Sequence, residues 1–188
     1  MRLCAVKGHA MNFPLLPHPD SPRGGVDAIA VHAARGSTLT LQYVSTGDLE
    51  RLTIPQPQAA QRADELWNST CFEAFLRATG ENGYLEFNFA PSRLWAAYSF
   101  AGYREGMHDL TIPAPAISVT CNERELVLQA HIVLENISCL PRNSVWQVGL
   151  SAIIEEPNGR KSYWALRHPP GKPDFHHPDC FALELPPP

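Results

Sequence analysis

Long apolar runs are absent from this chain. No segment approaches the roughly 20 consecutive apolar residues of a membrane-spanning helix, so no membrane partner is expected. The opening MRLCAVKGHAMNFPLLPHP has one early arginine, but Lys7, Gly8 and His9 interrupt it before the apolar core of a signal peptide can form. A cytoplasmic protein is the simplest expectation. Clustered positive charge is missing as well. Fifteen Lys and Arg against nineteen Asp and Glu give a net charge of −4, and without a basic stripe no nucleic-acid partner is expected.

Paired cysteines are also missing. The five thiols, Cys4, Cys71, Cys121, Cys139 and Cys180, are odd in number and widely spaced, which argues against a disulfide framework and a ribbon-type zinc site. They read as small buried hydrophobes in a reducing compartment. Two sequons, at Asn68 and Asn136, are incidental in that setting. Helical periodicity is scarce: only Ala59–Trp67, AAQRADELW, spaces its apolar residues for one or two helical turns. Internal repeats, linkers and a nucleophile elbow are lacking, and low complexity is confined to the tail Pro186–Pro188. A chain of 188 residues suits one domain spanning 1–188.

What is present is turn chemistry. Eighteen prolines and twelve glycines leave short segments between them, and many alternate with period two. STLTLQYV puts Leu39, Leu41 and Tyr43 on one face. YLEFNFA puts Leu85, Phe87 and Phe89 on one face and Tyr84, Glu86 and Asn88 on the other. LWAAYSF, AISVTC, ELVLQAHIVL and a closing CFALEL follow the same theme. VWQVGLSAII and SYWALR flank Asn158-Gly159, a hairpin signal. About ten short strands and very little helix predict an all-β fold, an antiparallel two-sheet β-sandwich or barrel.

One residue is out of place in this pattern. In LWNSTCFEAFL, Glu73 shares a strand face with Cys71 and Phe75, six residues after Trp67. A carboxylate among apolar neighbours needs a partner, and Arg93 or Arg104 would supply a bidentate fork.

The run from Trp67 to Phe100, together with SYWALRHP and PDFHHPDCFALEL, resembles the DOMON-like β-sandwich proteins, a group similar to the type 9 carbohydrate-binding modules. The resemblance covers about three quarters of the chain in order. It implies a two-sheet sandwich holding a small ligand, sugar or haem in the known branches. In the sugar-binding branch two tryptophans sandwich a sugar ring while a Glu and an Arg hydrogen-bond its hydroxyls. Trp67 and Glu73 match the first Trp and the Glu; Trp164 falls at the second Trp; Arg93, or Arg104 instead, falls near the Arg. Thr70 stands where the pattern has an acidic residue, which speaks against an inherited metal site.

The implied function is non-catalytic binding of a carbohydrate or sugar-derived metabolite by Trp67, Glu73, Asn88, Arg93, Arg104 and Trp164, without a cofactor. Indole faces suit the C–H face of a pyranose, and polar neighbours suit its rim. Three alternatives stay open. Glu73 and Glu86 would be the carboxylate pair of a glycan-acting enzyme. Met107 or His108 with a second ligand such as His176 would hold haem or a metal. An exposed sheet and proline loops would make a protein-interaction module.

Overall fold

In the computed structural model, residues 3–4, 11–133, 137 and 140–188 are described. Cys139 and two members of the second sequon, Asn136 and Ser138, lie outside the described residues. Thirteen strands are present among them: β1 (Leu3–Cys4), β2 (Met11–Pro17), β3 (Val26–Arg35), β4 (Thr38–Gly47), β5 (Cys71–Ala78), β6 (Tyr84–Phe89), β7 (Trp95–Phe100), β8 (His108–Asp109), β9 (Ala116–Cys121), β10 (Glu125–Val133), β11 (Trp146–Glu155), β12 (Lys161–Ala165) and β13 (Leu183–Leu185). The all-β expectation holds, and the antiparallel sandwich is the architecture formed.

Hydrogen bonding orders the strands β8-β7-β6-β5-β11-β12 in one sheet and β2-β3-β4-β10-β9 in the other. Strand β2 turns the corner between them. Its Met11–Leu15 segment pairs with β3, and Leu16 and Pro17 pair with β12. β13 lies antiparallel to the start of β11, and β1 runs parallel beside β13. The sites of expected turns hold up: Gly159, at φ +79°, closes the β11–β12 hairpin after Asn158.

The two facing layers interdigitate as the period-two patterns require. Leu39, Leu41 and Tyr43 of β4 are fully buried, as are Phe72, Ala74 and Leu76 of β5 and Phe87 and Phe89 of β6. Burying each large side chain contributes about 1.5–3 kcal/mol. The Tyr43 hydroxyl crosses the core to donate a 2.6 Å hydrogen bond to the Glu73 carbonyl, so the buried phenol is satisfied and the sheets are tied at that point. At the opposite end, Arg35 lies over the Trp146 ring, 3.4 Å from its centroid. It donates to the carbonyls of Ser144, Leu185 and Arg142 at 2.8, 2.9 and 2.7 Å. Burial, then Arg142 nearby, lowers its guanidinium to about 10.

Two expectations fail. Ala59–Trp67 is not helical: the segment runs extended, Arg62 bridging to Trp95 in parallel, with a single 3-10 turn at Leu66–Asn68. The Ala63 N–H donates to the Trp95 carbonyl and the Trp95 N–H to the Gln61 carbonyl. A strand edge thus satisfies the backbone groups that a short helix would have satisfied internally. Cys71 and Cys180 are buried thiols as expected, but Cys121 is exposed at the end of edge strand β9.

A second apolar layer lies on the outer face of the β5–β6–β7–β11–β12 sheet. Phe75, Tyr84, Ala96, Tyr98, Phe100, Ile153, Ala165, Phe175 and Phe181 pack there, joined by Leu66, Trp67 and Tyr163. Strands β5, β6 and β11 are therefore buried on both faces, so that the polar residues they carry, Glu73, Glu86, Asn88, Gln147 and Ser151 among them, are buried too.

Candidate functional site

The outer layer does not close completely. Loops 101–107 and 173–178 and the Leu66–Asn68 turn rim a cavity of about 370 Å³, lined by Trp67, Glu73, Glu86, Phe100, Arg104, Met107, Ile153, Tyr163, Pro173, Phe175 and His176. That volume lies at the lower end of the range of small-molecule sites, about 300–1,000 Å³.

Strand register places the floor. Glu73 pairs with Ser151 on one side and Asn88 on the other. Glu86 pairs with Phe75 and Tyr98, so Glu73 and Glu86 are diagonal neighbours on one face, a relation that spans about 7–8 Å between backbones. Both are buried, Glu73 at 3% and Glu86 at 4% exposure. The Ser151 hydroxyl donates to Glu73 Oε2 at 3.0 Å, and Asn88 Nδ2 donates to Glu86 Oε1 at 2.7 Å. Burial and then the charge of Glu86 push the Glu73 carboxyl up to about 8, against the Ser151 hydrogen bond and the more distant Arg104. Burial pushes Glu86 up to about 7, against Asn88 and Arg104. Near neutrality the pair retains a proton.

A polar chain runs from this floor to the rim. The Arg104 N–H donates to the Tyr84 hydroxyl at 3.2 Å, and that hydroxyl lies 2.7 Å from His176 Nδ1. Burial keeps the Tyr84 phenol protonated, its pKa raised to about 12. Burial and Arg104 hold His176 neutral, its pKa lowered to about 4. Tyr84 therefore donates to Nδ1, and the ring proton sits on Nε2, which faces Glu86 Oε2 at 3.7 Å. At the rim the Arg104 guanidinium pairs with Asp174 at 2.7 Å, and Tyr103 donates to the same carboxylate. Burial opposes ionisation of Asp174, but Tyr103 and Arg104 outweigh it and hold the carboxyl below its ordinary value.

The wall at Trp67 is anchored from behind. The indole is half-buried and meets Tyr98 edge-on, 6.0 Å between ring centroids. Thr70, the position where an acidic residue was absent, is buried. Its hydroxyl donates to the Thr53 carbonyl at 2.7 Å and accepts from the Glu155 N–H at 3.1 Å. Ser69 Oγ donates to Glu155 Oε2 at 2.7 Å. The turn carrying Trp67 is thereby fixed to the end of β11.

Three of the six residues singled out from sequence, Trp67, Glu73 and Arg104, converge on this cavity. Asn88 lies beneath it, fully buried, holding Glu86 in place and accepting from Cys71 Sγ at 3.8 Å. Arg93 does not line it. Its backbone sits at φ +71° in the β6–β7 turn, and its Nε donates to the Ile117 carbonyl at 3.2 Å, linking the two sheets at their edge. Trp164 does not reach it either, because strand alternation turns it inward. It is 1% exposed in the inter-sheet core, its Nε1 donating to Ser162 at 3.0 Å. The neighbouring Tyr163, opposite Ile153, faces the cavity instead. The arginine expected on Glu73 is also absent: among the described residues no Lys or Arg makes an ion pair with Glu73 or Glu86, and Ser151 takes that place.

Tyr163 was findable from the sequence, since it is the residue in SYWALR out of phase with the core. Phe100, Pro173 and Phe175 carried no such signal. Met107 and His176, weighed as haem ligands, both line the cavity, but the two ring nitrogens of His176 face Tyr84 and Glu86. Among the described residues no three His, Cys, Asp or Glu side chains converge as metal ligands.

No family model and no curated protein matches the chain. Solved structures do. A Bacteroides uniformis protein provisionally described as carbohydrate-binding superposes with a TM-score of 0.67 at 14% identity, over 93% of this chain and 86% of its own. A family 9 carbohydrate-binding module from Caldicellulosiruptor kristjanssonii, in complex with cellotriose, gives a TM-score of 0.51 at 8% identity, over 86% and 75%. The same organism's module with glucose gives 0.50 at 8% identity, over 91% and 88%. The chain shares its fold with carbohydrate-binding proteins.

Proposed function

We propose that this protein is a non-catalytic, DOMON-like carbohydrate-binding sandwich acting in the cytoplasm, its site the cavity on the outer face of the β5–β6–β7–β11–β12 sheet. The observation that carries the reading is the convergence of Trp67, Tyr163 and Phe100 with Glu73, Glu86 and Arg104 around one open volume. Aromatic faces stack on the apolar side of a sugar ring, while carboxylates accept and a guanidinium donates hydrogen bonds at its rim. The fold neighbours that bind glucose and cellotriose support the ligand class.

The carboxylate geometry favours binding over glycosidic cleavage. Hydrolysis places two carboxyl groups on either side of the scissile bond. Glu73 and Glu86 rise from adjacent strands of the same face and approach a ligand from one side. A thermal-shift screen of mono- and disaccharides tests the proposal. At least one saccharide should raise the melting temperature of the wild type, and Trp67→Ala should abolish the shift. A blank across the panel sinks the carbohydrate reading, and turnover of aryl glycosides that is lost in Glu73→Gln would replace it with an enzyme.

A further inference from the structure

We infer that the floor of the cavity selects a protonated primary amine on its ligand, so that the preferred class is amino sugars rather than neutral ones. The inference rests on the carbohydrate reading for the ring and on the floor for the amine. The floor holds two carboxylates from adjacent strands, Glu73 and Glu86, with no Lys or Arg paired to either among the described residues. Glu73 is 3% exposed, yet among the described residues its side-chain carboxyl accepts one hydrogen bond, on Oε2, and none on Oε1. A carboxyl oxygen without a donor, on a residue that lines a cavity, is a place for one.

The remaining groups favour a positive donor. Arg104 is the cation of the cavity, and its guanidinium is held at the rim by Asp174. His176 stays neutral and presents a ring N–H toward Glu86, so it adds no opposing charge. Trp67, Tyr163, Phe100 and Phe175 line the space, and aromatic walls attract cations in their own right. An ammonium has three donors for Glu73 Oε1, Glu86 Oε2 and a third acceptor, whereas a hydroxyl has one.

Such a ligand takes the place of the proton that the pair retains near neutrality. Binding then releases a proton and strengthens as pH rises while the amine stays charged. The groups facing the pair that enter this balance are Cys71 on β5, Tyr84 on β6, Tyr98 on β7 and Tyr163 on β12, with Arg104, Asp174 and His176 on the loops. Cys71, Tyr84 and Tyr98 have pKa values raised by burial. Those three thus keep their protons through the neutral range, and the carboxylate pair is the group able to release one.

Calorimetric titration of the intact protein with glucose, N-acetylglucosamine, glucosamine, 6-amino-6-deoxyglucose and methylamine, at pH 7 in two buffers of different ionisation enthalpy, tests this. An amino sugar should bind at least about tenfold tighter than its neutral counterpart. The buffer dependence should report proton release. In Glu73→Gln and Glu86→Gln the ratio of amino-sugar to neutral-sugar affinity should fall toward one. Equal or weaker binding of both amino sugars, with glucose still bound, overturns the amine inference and leaves the carbohydrate reading standing. Methylamine binding without any sugar binding supports the amine site and overturns the carbohydrate reading. No binding of any of the five overturns both.

Discussion

Glu73 and Glu86 stand diagonally on adjacent strands of one sheet face, both buried, and neither has a Lys or Arg partner among the described residues. Their cost is met locally, by Ser151 on one and Asn88 on the other, and by the proton they keep. Removing Asn88 should therefore expose that cost. Asn88→Ala leaves Glu86 without its 2.7 Å donor and opens a small cavity. A loss of about 1–3 kcal/mol is expected in urea unfolding near neutral pH.

Stability should fall with pH between about 6.5 and 8. The folded pair has raised pKa values and holds more protons than the unfolded chain, whose carboxyls ionise near 4.5. Unfolding free energy then decreases as pH rises, by up to about 1.4 kcal/mol per pH unit for each proton. Below 6.5, His176 works the other way, since its lowered pKa makes the unfolded chain the better proton binder between about 4 and 6.5. Chemical denaturation at pH 6.5 and 8 should show the decline in the wild type and a shallower one in Glu73→Gln. No decline between those two pH values would mean that the carboxylates ionise normally.

Trp67 and Trp164 should separate cleanly by phenotype. Trp164→Ala removes a fully buried indole and its bond to Ser162, with an expected cost of about 3–5 kcal/mol. Trp67→Ala removes a half-buried wall and should cost less, about 1–2 kcal/mol, while eliminating ligand binding. Urea unfolding of the two variants checks the order.

Thr70→Val keeps the shape of the side chain but removes a hydroxyl that serves both the Thr53 carbonyl and the Glu155 N–H. About 1–3 kcal/mol should be lost for those buried groups. The turn bearing Trp67 should also loosen, seen as faster amide exchange at Leu66–Ser69.

The sandwich was legible because period-two patterning reports which side chains share a face. That pattern placed Leu39, Leu41 and Tyr43 in the core, and Glu73, Glu86 and Asn88 together on the opposite face. It failed where both faces are apolar. In SYWALR a tyrosine and a tryptophan are adjacent, and the resemblance pointed to Trp164 as the ligand residue, although it is Tyr163 that shares a face with Ile153. The helix expected at Ala59–Trp67 failed for a different reason. Backbone bonds to Trp95, distant in sequence, outweighed a local apolar spacing. The contributions of Arg104, Phe175 and His176 depend on two loops folding over one sheet, which no local pattern encodes.

In the proposed site the ligand sits on the outer face of the sheet against Trp67 and Tyr163. Calorimetric titration of Tyr163→Ala with the saccharide that stabilises the wild type tests it most directly. Affinity should fall at least about tenfold, from loss of one aromatic wall, with the fold intact by circular dichroism. Wild-type affinity in Tyr163→Ala would contradict it and move the site away from this cavity.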